Sequence, residues 1–197
     1  MKKKHWYDYL WIWSIIYFAL GFFNILFAWL GLIDFILPLV FAIFGGNKLF
    51  CNHLCGRSQL FTVLGKNLKC SRNKPTPKWM NSNWFRYGFL IFFLTMFVSM
   101  LYQTYLVFGG AGSLKEVVKL FWSIKVPWNW AYTVRPAPDW AAQFAFGFYS
   151  IMLTSTILGL ITMALFRPRT WCVYCPMGTA TQLICRAKAA AKGQDRI

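Results

Sequence analysis

Six cysteines carry the chemistry that this sequence offers. Four of them form two close pairs, Cys51-Asn-His-Leu-Cys55 and Cys172-Val-Tyr-Cys175. A pair separated by two or three residues lets one turn of backbone present two thiolates to one site. Two such pairs supply four ligands, the number that an iron–sulfur cluster or a structural zinc ion takes. Cys175 is followed by Pro176, and ferredoxin-type runs commonly close on Cys-Pro. A further cysteine trails each pair: Cys70 comes 15 residues after Cys55, and Cys185 comes 10 after Cys175. Three readings stand open: an iron–sulfur centre, a zinc clasp pinning two loops together, and inert thiols. Inert structural thiols usually occur singly inside apolar spans, so spaced pairs in basic loops point to metal. The neighbouring Arg and Lys, with backbone N–H groups, are expected to lower the thiol pKa values and offset a cluster's negative charge.

The elements that position these pairs follow from composition. The chain has 197 residues, of which 58% are hydrophobic, 20% aromatic and 13% charged. A soluble domain carries about 25% charged residues, and a core of this size could not hide so much apolar surface. Disorder is excluded by the same figures. An integral membrane protein remains, of all-α class. Residues 10–30, 87–108 and 143–166 each satisfy the roughly 20 apolar residues that a crossing requires. Residues 35–50 give a fourth, shorter span, with Pro38 inside it and Lys48 placed to snorkel; a re-entrant half-helix is the alternative.

Charge sets the orientation. The chain carries 21 Lys+Arg against 5 Asp+Glu, a formal charge of +16. Because the basic residues flank apolar spans, nucleic-acid binding is the weaker reading of that charge. With four crossings and both termini cytoplasmic, 17 basic residues fall inside, and only Lys115, Lys119, Lys125 and Arg135 fall outside. That asymmetry is the positive-inside pattern of a multi-pass cell-membrane protein. It places all six cysteines in the cytoplasm, where a disulfide framework is disfavoured. The outer loop, 109–142, contains Ser113-Leu-Lys-Glu116, which reads as a capping box before apolar residues at helical spacing. A short interfacial helix is therefore expected there. Its tryptophans, including Trp122, Trp128, Trp130 and Trp140, read as an interfacial belt.

The halves look alike: two spans, a cysteine pair, then a third cysteine. Residues 1–197 are thus expected to form one membrane domain of two pseudo-repeated hairpins, with cysteine loops at 51–70 and 172–185. A parallel repeat of this kind would bring both pairs together on one side of the membrane.

The stretch Arg167-Pro-Arg-Thr-Trp-Cys172-Val-Tyr-Cys175-Pro-Met-Gly178, after a span, resembles the four-helix membrane iron–sulfur proteins of the NapH/MauN/NosR type. Their pattern has two Cys-x-x-x-Cys-Pro motifs. Here the first pair has Gly56 in place of Pro, and the second pair is one residue short. The resemblance covers the four-span core. It implies [4Fe-4S] binding, with Cys51, Cys55, Cys172 and Cys175 as ligands, and electron transfer between a quinol pool or cytoplasmic donor and a redox partner.

Cys70 and Cys185 either complete two three-cysteine sites, giving two clusters per chain, or are spare thiols beside one cluster. His53 could supply a further ligand; a hydrogen bond to a cluster sulfur or headgroup is the plainer role. Asp34 reads as a cap or turn at the outer interface. No acid–base pair, nucleophile constellation or phosphate-binding Gly motif is present, so a component of a larger oxidoreductase system is expected and not a self-sufficient enzyme. The hydrocarbon core is about 30 Å thick, so a second carrier is required, a quinone or a cofactor on a partner subunit. The basic inner face suits an acidic ferredoxin or flavoprotein, and equally anionic membrane lipid. The rival from another class is a zinc-clasped membrane scaffold or assembly factor without redox activity.

Overall fold

The computed structural model describes residues 9–46, 50–121, 124–132 and 137–191. Seven α-helices occur among them: α1 (Leu10–Phe23), α2 (Gly31–Gly45), α3 (Gly56–Thr62), α4 (Asn83–Phe108), α5 (Asp139–Leu165), α6 (Thr170–Tyr174) and α7 (Pro176–Ala191). Three helical stretches are long and apolar enough to cross a membrane: Ile25–Gly45, Asn83–Phe108 and Asp139–Leu165. The last two match the expected third and fourth spans.

The first hairpin differs from expectation. Its break lies at Asn24, inside the stretch expected to be one span. Asn24 adopts an extended backbone, and its side chain accepts the N–H of Leu26, capping a 3₁₀ turn (Ile25–Leu30) that leads into α2. An Asn side chain competes with the helical ladder in this way and so ends one helix and starts the next. Neighbouring side chains hold the junction: Tyr17 donates to the Ala28 carbonyl, Tyr149 to that of Phe18, and the Trp29 indole to that of Ala141. Gly21 and Gly31 permit this approach, since a Cβ on either would run into a tyrosine ring. The consequence is a redistribution of length. α1 keeps 14 residues, about 21 Å, while the second span begins at Ile25 and not at residue 35. Pro38 lies within α2 and does not end it. The helix stops at Gly45, followed by Gly46 with φ +63°, not at Phe50. Lys48, expected to snorkel, lies outside the described residues.

The outer loop also corrects the sequence reading. The expected helix after Ser113 is a β-hairpin: β1 (Val117–Leu120) pairs antiparallel with β2 (Ile124–Pro127), Val118 opposite Val126 and Lys119 opposite Lys125. The fold is therefore helical with a small sheet, and not all-α. Two causes are visible. Val117, Val118, Ile124 and Val126 are β-branched and favour a pleated surface. The backbone N–H of Lys119 bonds the Ser150 side chain on α5, which takes it out of a helical ladder, and Gln143 on α5 holds the Lys115 N–H. Of the loop tryptophans, Trp128 and Trp130 pack on each other at 4.9 Å between ring centres, while Trp122 lies outside the described residues.

The chain divides into two compact units. Unit 1 takes Met1–Ser14, Ile33–Ile91 and Leu158–Ile197, and contains every cysteine. Unit 2 takes Ile15–Leu32 and Phe92–Ile157. The core of unit 1 is Phe61, Met80, Met163, Trp171 and Tyr174. Gly159 makes room for it, because a Cβ there would lie 2.3 Å from the ring of the fully buried Phe61. Gly159→Ala is accordingly expected to destabilise the protein by about 1–3 kcal/mol, the usual cost of overpacking, read as a lower denaturant midpoint in detergent.

Candidate metal centre

Both cysteine pairs have the same local construction. Cys51 sits in a short π-helical turn, Phe50–Leu54. Cys55 then caps α3, which starts at Gly56. Cys172 sits in α6, Cys175 ends it, and α7 starts at Pro176. Each pair thus spans one short helical turn and hands over to a new helix at its second cysteine. The difference in spacing has a structural correlate. The three-residue gap of the first pair occupies the wider π-turn, and the two-residue gap of the second occupies an ordinary α-turn.

The departure at Gly56 is explained as well. A Cβ at this position would come within 2.7 Å of the Ser14 hydroxyl and 2.8 Å of the Leu10 carbonyl oxygen on α1. The carbonyl belongs to backbone and cannot swing aside. Where the second pair has Pro176, the first has room only for glycine.

The pairs lie 121 residues apart between Cys51 and Cys172, yet each leans on the helix that follows the other. The Cys172 sulfur is 3.5 Å from Ser58 Oγ on α3. The Cys51 sulfur is 3.8 Å from Thr181 Oγ1 on α7. The charges of Cys51 and Cys55 act on Cys172, and those of Cys172 and Cys55 act on Cys175. All four thiols therefore share one neighbourhood. They are not drawn onto a single point: among the described residues no group of three His, Cys, Asp or Glu could hold one metal ion. A tetrahedral zinc site would need sulfurs about 3.8 Å apart, given Zn–S bonds of roughly 2.3 Å. A four-iron cluster takes one thiolate at each of four corners and so asks for a wider set. Four soft donors fit a cluster in kind and number.

At Cys172 and Cys175 the thiol pKa values are raised, against the expectation that they would be lowered. Burial pushes Cys172 up; Ser58 and Arg169 work against it, and Cys55 and Cys51 add to it. Burial pushes Cys175 up to about 12, with the Gly178 N–H and Arg57 opposing and the other thiols reinforcing. The arginines act in the expected direction, and Cys172 keeps a solvent-exposed surface, but at Cys175 removal from water outweighs them. Its cause is an aromatic wall. Cys175 packs on the core of unit 1, where Trp171 and Tyr174 meet at 5.0 Å between ring centres and Phe89 lies 5.2 Å from Tyr174. Tyr174 donates to Thr162 and is itself pushed up to about 12, chiefly by burial.

The remaining candidates are more peripheral. Cys70 is exposed, and its thiol bonds the Leu68 carbonyl of its own loop. Cys185 lies 10 residues along α7 from Cys175, about 15 Å of helix. His53 is exposed, and its carbonyl accepts the Gln59 side chain, which braces the first turn against α3. Sequence reasoning missed Ser58 and Thr181, and read Asp34 as a cap or turn at the outer interface. Asp34 lies not in an interfacial turn but in the first turn of α2, where the Trp13 side chain bonds it and the charge of Arg57 acts on it. No spacing rule signals such long-range partners.

Residues 27–69 and 150–190 match the family model of a 4Fe-4S binding domain. The match supports an iron–sulfur protein family. Its two segments take in Cys51 and Cys55 in one and Cys172, Cys175 and Cys185 in the other, and stop one residue short of Cys70. No curated protein and no solved structure matches the chain.

Two outcomes follow for the purified protein. Gly56→Ala touches no ligand, yet is expected to cut bound iron severalfold, because the clash with Leu10 displaces Cys55; iron assay with a folding control checks it. Ser58→Ala removes a hydroxyl from the Cys172 sulfur. It is expected to lower the reduction potential by about 40 mV, roughly one hydrogen bond's worth for a single electron, read by redox titration.

Proposed function

We propose that the chain is a membrane-embedded electron-transfer subunit that carries a [4Fe-4S] cluster on Cys51, Cys55, Cys172 and Cys175. The observation that supports this reading most directly is the reciprocal contact of each pair with the helix after the other, Cys172 with Ser58 and Cys51 with Thr181, within segments that match a 4Fe-4S binding domain. Such a cluster supplies one-electron oxidation and reduction when bound. The chain's own residues do the rest. Gly56 and Pro176 begin the two helices that follow the second cysteine of each pair. Ser58 and Thr181 offer hydroxyls to sulfur. Phe89, Trp171 and Tyr174 exclude water from the Cys175 side, which tunes potential through the local dielectric. Arg57 and Arg169 supply positive charge toward an anionic centre.

In this reading α1, an apolar helix shorter than the three span-length stretches, pairs with Ile25–Gly45 as the first membrane hairpin, and α4 and α5 form the second. Both termini and the cysteine loops face the cytoplasm of a cell-membrane protein, as the 17-to-4 distribution of basic residues favours. The basic face then receives an acidic ferredoxin or flavoprotein. Because the hydrocarbon core is about 30 Å thick, a quinone or a partner's cofactor carries the electron onward. Cys70 and Cys185 remain outside the primary ligand set.

Anaerobic purification with iron, sulfide and zinc assays and a visible spectrum tests the proposal. About four irons and four sulfides per chain, lost in Cys55→Ala and Cys175→Ala and kept in Cys70→Ala, are expected. About eight would instead assign Cys70 and Cys185 to a second cluster. Zinc without iron or sulfide would overturn the electron-transfer reading and leave a scaffold.

A further inference from the structure

Unit 2 contains none of the cysteines, but it contains a charged cleft. The cleft opens beside the last turns of α4, where the β-hairpin and α5 adjoin it. Its wider part encloses about 300 Å³ and is lined by Gln103, Val107, Ser113, Lys115 and Gln143, among others. A narrower extension reaches Lys119 and Ser150, then apolar Met96, Met100, Gly147 and Ile151. No carboxylate lines either part among the described residues.

Strand geometry concentrates positive charge here. Lys115, Val117 and Lys119, at alternate positions, all line the extension, while Val118 between them is fully buried. Lys119 stands directly opposite Lys125 in the hairpin. Like charges in that relation repel. The Lys119 ammonium donates to the Gln103 side chain at 3.4 Å, a neutral partner that brings no opposing charge. Burial, Lys115 and Lys125 all push the Lys119 pKa down. An anion in the cleft would offset the repulsion among these lysines.

Depth tells what kind of anion fits. Gln103 lies five residues before the end of an apolar helix long enough to cross a membrane. Met96 lies seven residues earlier, about 10 Å deeper along the same helix. The polar groups thus sit at headgroup level and the apolar floor lies on the hydrocarbon side. We propose that this cleft binds the phosphate of an anionic membrane lipid between Lys119 and Lys115, with its chain along Met96 and Met100.

Lysine acylation of the full-length protein in nanodiscs tests this without any substitution. The discs contain phosphatidylcholine alone, phosphatidylcholine with phosphatidic acid, or phosphatidylcholine with inorganic phosphate in the buffer. Labelling of Lys119, read by mass spectrometry and normalised to Lys125, is expected to slow about tenfold with phosphatidic acid only, the worth of one charge-assisted hydrogen bond. Retention of phosphatidic acid through a detergent wash is expected to fall similarly in Lys119→Gln and to be kept in Lys119→Arg. Equal protection by inorganic phosphate would keep the anion site but overturn the lipid. Labelling alike in all three conditions, with retention unaffected by Lys119→Gln, would overturn the proposal altogether.

Discussion

The sulfur of Cys172 rests on Ser58, and the sulfur of Cys51 rests on Thr181. These reciprocal contacts tie two loops that are far apart in sequence, and the rest of unit 1 can be understood as their support. Phe61, from the helix after the first pair, and Trp171 and Tyr174, from the turn of the second, share one apolar core. Thr62 accepts from Arg169, and Thr76 pairs with Thr170, so polar bonds cross between the same two regions. Gly56, Gly65 and Gly159 are the points where backbones or rings come too close for any Cβ. The cysteine loops are therefore held before any cofactor is considered.

The balance of forces at the sulfurs follows from that packing. A surface thiol beside arginine would ionise more readily than usual. Here the same aromatic residues that fix the turns also remove water, and desolvation is the larger effect. At Cys172 and Cys175, ligation by metal, which requires thiolates, would therefore displace protons held more tightly than in a free cysteine. The Gly178 N–H and the two arginines act in the direction that ligation needs, so the site combines a high resting cost with local means of offsetting it.

Much of this was legible in the sequence, for physical reasons that can be named. Charge-free apolar runs of span length identified α4 and α5, since nothing else in a chain this size accounts for them. The two cysteine pairs pointed to segments that match a 4Fe-4S binding domain, because ligand spacing is a local property. What failed was long-range. The break at Asn24 looked like a polar interruption, and only its capping bond and the tyrosines around it make it a helix end. Ser113 and Glu116 have capping-box spacing, but Gln143 and Ser150, about 30 residues on, take the backbone N–H groups and favour a hairpin. The lowered thiol pKa values were inferred from nearby basic residues in sequence, and the wall that reverses them comes from Phe89 and Tyr174 on different helices. Local patterns survive in the structure where no tertiary partner competes for the same groups.

The distance in sequence between the two pairs also sets an order of events during synthesis. Cys51 leaves the ribosome 121 residues before Cys172. At about 5–20 residues per second, the first pair waits roughly 6–24 s for the contacts that hold it. During that interval Cys51 and Cys55 are without Thr181 and Cys172, and are open to oxidation or to adventitious metal. A cluster held by both pairs, as proposed, would be completed only once the second half has been translated.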